Sequence, residues 1–258
     1  MSAGPLRFAS LGSGSKGNGT LVEAGGTRLL IDCGFVLRET EARLQRLGVE
    51  PASLAGILVT HEHGDHLGGV ARLARRHGLT VYLTAGTQRA WKDHGVESVR
   101  SISPHEAFSV GAIEVQPYPV PHDAREPCQY VLGHRDLRLG ILSDAGHVTA
   151  HMRQSLSGCD ALMLECNHDR ALLAAGPYPP SLKLRVGGML GHLENAQSAA
   201  LLRDIDRSRL QHLVLTHLSE TNNRPELALA AMAEVMQAQP PWMVCAEQDG
   251  GLDWREIA

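Results

Sequence analysis

The sequence has few aromatic residues and no long apolar run, and each shortage argues against a class of protein. Three Phe, three Trp and four Tyr among 258 residues offer few platforms on which unpaired bases could stack, which disfavours a single-strand-binding protein. No apolar run approaches the length of about 18 residues that a membrane span needs. Residues 1–10 show no charged and then apolar export segment, so we expect a cytoplasmic protein without a membrane partner.

Cysteine and net charge are also low. The five cysteines are odd in number, scattered and without a Cys-x-x-Cys pair, which argues against a disulfide framework and against a thiolate zinc site. The formal net charge of −4 excludes a protein whose whole surface attracts nucleic acid, although a local basic patch stays open. A hydrophobic content of 43% and a charged content of 20% are those of an ordinary globular protein.

Apolar segments with strand and helix periodicity alternate along the chain and predict a mixed α/β fold. Strands are predicted at 6–11, 20–24, 27–31, 54–60, 80–83, 112–115, 129–132, 137–142, 161–164, 213–216 and 242–246. Helices are predicted at 38–47, 67–77, 196–205 and 226–237. Asn195 is the predicted N-cap of the third helix. Two runs of strands with helices outside each predict two sheets packed face to face and covered by helices.

Histidine is abundant, and four residues of metal-ligand type lie within the segment His61–His66, whose sequence is His-Glu-His-Gly-Asp-His. Residues two apart just past a strand end point the same way, so His61 and His63 can chelate one ion. Gly64 would let the backbone turn, so that the last two residues face a second ion. Two adjacent metals activate water and stabilise both sides of a displacement. The segment therefore predicts a dinuclear metal site, with a solvated helix N-terminus as the alternative.

The pattern of this segment resembles the signature of the metallo-β-lactamase fold. The resemblance implies an α/β fold, specifically an αββα four-layer sandwich, which we expect to form a single domain over residues 1–258 with metals at the sheet edges. It implies seven metal ligands: His61, His63, Asp65, His66, His122, Asp144 and His217. We expect two divalent ions, with zinc favoured because the site is rich in imidazole, and with manganese or iron as alternatives because carboxylates also contribute.

The same resemblance divides the ligands between the two ions and adds supporting residues. One ion would be held by His61, His63 and His122. The other would be held by Asp65, His66 and His217, and Asp144 would bridge the two. Asp32 follows the strand at 27–31 and would orient a ligand histidine, while Asn167 and His168 are expected to support the site.

Further motifs are similar to those of the YycJ/WalJ-type branch of this fold, whose members are 5′-to-3′ double-strand DNA exonucleases. They occur in order between about residue 6 and residue 223: Gly12-Ser13-Gly14-Ser15-x-Gly17-Asn18, Pro121-His122-Asp123-Ala124-x-Glu126-Pro127, Glu165-x-Asn167-His168-Asp169, Gly191-His192-Leu193-x-Asn195 and His217-Leu218-Ser219-x-x-Asn222-Asn223. The sequence departs from the branch at Glu194, where the family usually has Ser. The first motif lacks the ending of a P-loop and is expected to form a tight turn near the metals.

Glu165 and His192 resemble a pair of nuclease residues in which a glutamate orients a histidine that protonates the leaving oxygen. Such a group is needed because a departing alkoxide must gain a proton. We therefore expect His192, Glu165 and Asp65 to be catalytic, whereas a surface carboxylate and a histidine of a helix cap are the alternatives for the first two. Six other histidines are expected at the surface: His77, His94, His105, His134, His151 and His212.

The leading hypothesis is a dinuclear metal-dependent hydrolase that cleaves phosphodiester bonds, most simply a 5′-to-3′ DNA exonuclease with DNA as its partner. A thioester or lactone hydrolase of the same fold is the alternative enzyme. A metal-stapled binding module without catalysis is the alternative from another class. His63 argues against a redox role, because the oxygen-reducing di-iron members of the fold carry a glutamate at that place.

Overall fold

The computed structural model describes residues 4–93 and 95–258, and the strands of these residues form two seven-stranded sheets. The strands are β1 Leu6–Gly12, β2 Gly19–Ala24, β3 Thr27–Ile31, β4 Gly56–Leu58, β5 Val81–Thr84, β6 Val99–Ile102, β7 Phe108–Val110, β8 Ile113–Pro119, β9 Cys128–His134, β10 Leu137–Leu142, β11 Ala161–Glu165, β12 His212–Thr216, β13 Met243–Cys245 and β14 Leu252–Ile257. The helices are α1 Leu37–Arg46, α2 Gly64–Leu67, α3 Val70–His77, α4 Ala85–Ala90, α5 Ala150–Leu156, α6 Arg170–Ala175, α7 Pro180–Val186, α8 Asn195–Asp204 and α9 Pro225–Met236, with a 3₁₀ turn at Pro51–Ser53.

Each sheet combines an antiparallel half with a parallel half. The first sheet has the order β14-β1-β2-β3-β4-β5-β6, and the second has the order β13-β12-β11-β10-β9-β8-β7. Strands β3 to β6 are mutually parallel, as are β10 to β13. The carboxyl ends of neighbouring parallel strands meet at one edge of a sheet, where open α/β sheets bind their ligands.

Apolar side chains fill three layers, which confirms the predicted αββα sandwich. Between the sheets, Phe8 and Leu29 of the first sheet belong to the same buried cluster as Tyr130 and Met163 of the second. The outer face of the first sheet is covered by α1 and α3, and that of the second by α5, α8 and α9. Central strands such as β4 and β11 are buried along their whole length, as strands covered on both faces require.

The strand predicted at 242–246 is present, but the strand that follows it was missed. The segment at 242–246 does form β13, but the chain continues into β14, which pairs antiparallel with β1 at the edge of the first sheet. The pattern of β14 is weakly apolar because an edge strand is half exposed, and Arg7 stacks over its Trp254 at 4.4 Å. The edge strands β6 of the first sheet and β7 of the second were missed for the same reason.

The predicted N-cap of α8 was also wrong. Glu194, not Asn195, is the N-cap, and its backbone N–H donates to Gln197 Oε1 at 3.0 Å. Asn195 is the first helical residue, and its side-chain amide donates to Asn223 Oδ1 at 2.9 Å. The Asn195 side chain therefore forms a long-range hydrogen bond with Asn223 and does not cap the helix, contrary to what the local pattern predicted.

The described histidines that were expected at the surface lie outside the core. None of the five expected surface histidines that the structure describes is buried, and His94 lies outside the described residues. All five cysteines are free thiols. Within residues 4–93 and 95–258, the helices are too short or too polar to cross a membrane.

Candidate metal centre

The predicted site residues gather where strands of both sheets end. They follow or close these strands: Asp32 after β3, His61 after β4, His122 after β8, Asp144 after β10, Glu165 at the end of β11 and His217 after β12. The side chains form overlapping groups whose candidate ligand atoms lie within 4.8 Å of one another. The structure thus brings all seven predicted metal ligands into one cluster.

Three of these strand-end residues turn the chain sharply into the cluster. Asp32, Asp144 and His217 have positive φ angles of 60°, 54° and 55°, a conformation that costs an L-residue about 1–2 kcal/mol. Tertiary hydrogen bonds hold it: the Asp32 N–H donates to Leu58 O at 2.8 Å, and the His217 N–H donates to Ser13 Oγ at 2.8 Å. Strain of this kind is found where surrounding structure fixes a functional geometry.

The first group consists of three imidazoles. His122 Nδ1 must donate to the Gly191 carbonyl at 3.0 Å, which leaves Nε2 as a bare acceptor. That nitrogen lies 3.2 Å from His63 Nδ1. His61 Nε2 is buried and has no hydrogen-bond partner among the described residues. Three ring nitrogens thus converge with too few N–H groups to form hydrogen bonds among themselves. Such a group fits a divalent cation.

Thr60 and Asp32 explain why His61 presents this nitrogen. Thr60 Oγ1 donates to Asp32 Oδ2 at 2.8 Å, so it accepts from His61 Nδ1 at 2.9 Å. The same Asp32 oxygen accepts from His66 Nδ1 at 2.7 Å. Both imidazoles are therefore held with Nε2 directed away from these bonds, as carboxylates do for metal-ligating histidines. Asp32 was predicted to orient a ligand, whereas the role of Thr60 was missed.

The second group alternates imidazoles and carboxylates. His66 Nε2 lies 3.1 Å from Asp144 Oδ2 and 3.5 Å from Asp65 Oδ2. His217 Nε2 lies 3.5 Å from Asp65 Oδ2 and 3.7 Å from Asp144 Oδ1. Asp144 thus contacts both imidazoles of this group, and it also lies 3.8 Å from His122 Nε2 of the first group. This position between the groups suits the bridging role that was expected of it.

The carboxylates of this second group favour protonated imidazoles. Burial acts to lower the pKa of His217, but the charge of Asp144 and the hydrogen bond with Asp65 outweigh it and raise the pKa to about 10. Burial likewise opposes the charge on His66, yet Asp144 and Asp32 raise its pKa well above the usual value. Burial acts to raise the pKa of Asp144, but the positive charges of His217 and His66 outweigh it and hold the pKa well below its usual value. The group balances its carboxylates with positive charge, which divalent ions would also supply.

Two asparagines support the second group. Asn167 Nδ2 donates to the His217 carbonyl at 3.0 Å, and His168 Nδ1 lies 3.3 Å from Asn167 Oδ1. Asn18 Nδ2 donates to Gly14 O at 3.0 Å and lies 3.1 Å from His66 Nε2. Asn18 was not among the predicted site residues, although the motif that contains it was expected to turn near the metals.

Gly34, not Gly64, is the glycine that the cluster requires. Gly64 is the first residue of α2, and no atom lies within 4 Å of a Cβ built there. A Cβ built on Gly34 would lie 1.9 Å from the backbone oxygen of Asp65. The chain turns into α2 at Gly64 as expected, but nothing there requires a glycine, whereas the close approach of the Asp65 backbone to Gly34 does.

Glu165 is a buried carboxylate that binds His192, not the surface group of the alternative. It is 0% exposed, and its Oε2 accepts from the backbone N–H groups of Ala145 at 3.0 Å and Leu193 at 3.2 Å. Its Oε1 lies 2.8 Å from His192 Nδ1. Burial acts to raise the pKa of Glu165, but the hydrogen bonds with His192 and His217 lower it to about 2. The ionised carboxylate fixes Nδ1 of His192 as a donor.

An open cavity of about 390 Å³ lies over the cluster and is lined on one side by His63, Asp65 and His192. The opposite wall is α7 and the residues before it, with Tyr178, Leu182, Arg185 and Val186 facing the cavity. None of these four residues was among the predicted site residues. The size is that of cavities that bind small molecules.

The chain is similar to known proteins over most of its length. The sequence matches the family described as "Beta-lactamase superfamily domain" over residues 27–218. It is 35% identical to exodeoxyribonuclease YycJ of Bacillus anthracis over 237 residues, which cover 90% of this chain and 89% of that protein. It is 33% identical to exodeoxyribonuclease WalJ of Streptococcus pneumoniae over 234 residues, covering 88% of this chain and 87% of the relative.

The fold is similar to that of the metallo-beta-lactamase fold protein YhfI of Bacillus subtilis, with a TM-score of 0.75 at 16% sequence identity. That similarity covers 98% of this chain and 99% of YhfI. At this identity the comparison bears on the fold alone. The matches along the sequence go further, and the resemblance noted in the motifs is confirmed. The chain belongs to the β-lactamase superfamily and, within it, to the family that includes YycJ and WalJ.

Proposed function

We propose that this protein is a dinuclear metal-dependent exonuclease that hydrolyses phosphodiester bonds of DNA from the 5′ end. The observation that carries the proposal is the pairing of buried Glu165 with His192 beside the metal-ligand cluster, at a distance of 2.8 Å. The names of the relatives YycJ and WalJ, both exodeoxyribonucleases, support DNA as the substrate.

We propose one place for each ion from the ligand groups. His61, His63 and His122 would hold one ion, and the unpartnered His61 Nε2 supports that assignment. Asp65, His66 and His217 would hold the other, with Asp144 between the two groups. When bound, two divalent ions lower the pKa of water and neutralise phosphate charge. We expect zinc first, because imidazole dominates the donor set, and manganese or iron as alternatives.

His192 is placed to protonate the leaving oxygen. Its Nδ1 is taken up by Glu165, so Nε2 is the nitrogen available to a substrate in the cavity that His192 lines. Its side chain is 20% exposed, whereas Glu165 is fully buried. The buried carboxylate keeps Nδ1 in the same hydrogen bond throughout, so the proton that is transferred is the one on Nε2. A general acid of this kind contributes about 10²–10⁴-fold to the rate.

The cavity supports cleavage at a strand end. A volume of about 390 Å³ lies near the lower end of the range for cavities that bind small molecules, roughly 300–1,000 Å³. This size suits the terminal part of a strand, which is the part that an exonuclease must bind at the reacting centre. The free thiols of all five cysteines, together with a DNA substrate, favour the cytoplasm as the location.

The alternatives account for less of the site. A thioester releases a thiolate, which leaves without a proton, so hydrolysis of thioesters gives the Glu165–His192 pair no role. A lactone releases an alkoxide that does need a proton, and the relatives YycJ and WalJ, both named exodeoxyribonucleases, argue against a lactone hydrolase. A binding module stapled by metals requires the ligand groups but not a histidine that is held toward the cavity by a buried carboxylate. Phosphodiester hydrolysis uses both features.

The test compares four substrates with zinc-loaded and manganese-loaded protein. Duplex DNA with a 5′ label, the same DNA as a single strand, RNA of the same sequence and an acyl thioester are incubated separately. We expect the duplex to release the labelled 5′ mononucleotide in a metal-dependent reaction. Fragments that arise from cleavage inside the strand should not precede it. If no nucleic acid yields nucleotides while the thioester is hydrolysed, the proposal is wrong.

A pair of variants tests the ligand assignment in the same assay. Asp65→Ala is expected to lose metal and to abolish turnover, because the carboxylate lies 3.5 Å from both imidazoles of its group. Asp253→Ala, at an exposed position of β14, serves as the control and is expected to retain both. An Asp65→Ala protein that keeps its full metal content and its activity would refute the assignment.

A further inference from the structure

Arg185 is the only lysine or arginine among the described residues that line the cavity. The other charged groups of the lining, apart from imidazoles, are the carboxylates of Asp65, Asp123 and Asp144. Two of these belong to the metal-ligand cluster, which leaves Arg185 and Asp123 without a role in the proposed chemistry. A substrate whose backbone carries one negative charge per phosphate needs cationic partners beyond the cleavage point.

The guanidinium of Arg185 is held by one edge. Its Nε donates to Asp123 Oδ2 at 2.6 Å, and its side chain is 60% exposed. A guanidinium has five N–H donors in a planar fork, so a bond through Nε leaves the terminal nitrogens available to a second acceptor. Arginine binds phosphate oxygens through such a fork.

Asp123 is in turn fixed to the metal-ligand cluster. Its backbone N–H donates to Leu190 O at 3.1 Å, and its Oδ1 lies 3.6 Å from His63 Nε2 and 3.5 Å from His122 Nε2. One carboxylate therefore faces a guanidinium with one oxygen and two candidate ligand imidazoles with the other. Asp123 therefore links the position of the Arg185 guanidinium to that of the metal-ligand cluster.

Helix α7 is also fixed by bonds to its C-terminal side. The His192 N–H donates to Val186 O at 2.8 Å, and His122 Nδ1 donates to Gly191 O at 3.0 Å. The backbone that carries Arg185 is thus bonded to the expected general acid and to a candidate ligand. A side chain on a rigid element can select a substrate geometry because little ordering is needed on binding.

We propose that Arg185 binds a phosphate group of the substrate strand and that Asp123 is the positioning residue that holds its guanidinium beside the metal-ligand cluster. This inference rests on the proposed function, because it assumes a nucleic-acid substrate. It adds a specificity determinant: the enzyme recognises the anionic backbone through one oriented arginine, so substrates without a phosphate at that place bind weakly.

The experiment measures DNA affinity and its salt dependence by fluorescence anisotropy. The probe is a labelled duplex whose terminal linkages are phosphorothioates that resist cleavage, added to zinc-loaded protein over a series of KCl concentrations. Arg185→Gln is expected to lower affinity about 10–100-fold, the scale of a hydrogen bond to a charged group. It is also expected to reduce the slope of log K against log salt by about 0.9, the contribution of one phosphate contact.

Matched variants separate this role from charge and from folding. Arg153→Gln removes an arginine whose Nε also pairs with an aspartate, Asp204, at 3.1 Å, and which does not line the cavity. It is expected to leave affinity and slope unchanged. Arg185→Lys is expected to keep the slope and lose part of the affinity, because an ammonium lacks the fork. Metal content is measured for every variant.

The role of Asp123 is tested by a cycle. Asp123→Asn is expected to weaken DNA binding in the wild-type background and to have little further effect in the Arg185→Gln background. Additive losses would contradict a positioning role.

The outcomes distinguish the two proposals. If the wild type releases nucleotides but Arg185→Gln matches it in affinity and salt slope, the inference is overturned and the proposed function stands. An equal loss in Arg153→Gln would also overturn it. If the wild type neither binds nor degrades DNA, the proposed function fails and the inference fails with it.

Discussion

Glu165→Gln is the most informative single substitution, because the structure separates what it removes from what it keeps. Both backbone donors, from Ala145 and Leu193, converge on Oε2 of Glu165, and the one oxygen of a glutamine can still accept both. The glutamine NH₂ would then face His192 Nδ1, where the carboxylate Oε1 accepts in the native protein. His192 would lose its acceptor and the charge that stabilises its imidazolium.

The expected effects on stability and on rate differ in size. Loss of one hydrogen bond to a charged group costs about 1.5–3 kcal/mol, and removal of a buried charge offsets part of this cost. The turnover rate is expected to fall about 10²–10⁴-fold, the contribution of a general acid. Because the pKa of Glu165 is about 2, the carboxylate is ionised throughout the neutral range and the loss occurs at every pH there.

Single-turnover rates on 5′-labelled duplex DNA, metal content and urea unfolding are measured together. Metal content matters because Glu165 Oε1 also lies 3.5 Å from His217 Nδ1. Glu165→Ala provides the contrast: it leaves the donors of Ala145, Leu193 and His192 without an acceptor and is expected to lower the unfolding free energy by about 3 kcal/mol or more.

A double variant decides whether Glu165 acts through His192. If it does, Glu165→Gln combined with His192→Ala is no slower than His192→Ala alone, which retains metal and loses the same 10²–10⁴-fold or so. A Glu165→Gln protein with wild-type turnover would refute the proposed acid. Fully additive losses would show that Glu165 works by another route.

Three further predictions follow from the ligand cluster and its supports. Metal loading at pH 7 should release about two protons, because the pKa values of His66 and His217 are raised (the latter to about 10) and each ring must give up a proton to bind metal. Calorimetry in buffers of different ionisation enthalpy measures the number of protons released. Release of no protons would contradict the prediction. The sign is that metal affinity rises with pH, whereas in the metal-free protein the stability contributed by protonated His217 is full below pH 6.5 and is lost as pH rises through 10. Asp32→Asn should weaken metal binding about 10–100-fold in a chelator competition, and unchanged affinity would remove its orienting role. Gly34→Ala should lower the melting temperature and the metal content, because its Cβ would lie 1.9 Å from a backbone oxygen. Gly64→Ala should change neither, because there is open space around that position. Equal melting temperatures for the two variants would refute the close approach at Gly34.

The sequence predicted the parts of the site that depend on local spacing. The ligands at His61 and His63 could be found because two residues beyond a strand end face the same side. Thr60 escaped notice because its role depends on which hydrogen bonds its hydroxyl makes, and this is decided by Asp32, 28 residues away. A threonine before a histidine carries no such signal in sequence alone.

The cavity wall could not be predicted for a different reason. Helix α7 has seven residues, none of them buried, so its sequence lacks the apolar stripe that identifies a packed helix. It is positioned by backbone bonds such as that from His192 N–H to Val186 O. The role of Arg185 therefore becomes visible only after the chain has folded around the cluster.

The origin of the ligands in both sheets has a consequence for how the protein persists in a cell. Asp65 and His217 are 152 residues apart in sequence, so the unfolded chain cannot present them together. The unfolded chain offers only the local ligands of residues 61–66, so metal binds the assembled sandwich more tightly. A free concentration of 100 times Kd stabilises the native state by at most about 2.7 kcal/mol. Divalent metal supply would thus govern the lifetime of the polypeptide against proteases, and starvation for metal would deplete the enzyme itself as well as its activity.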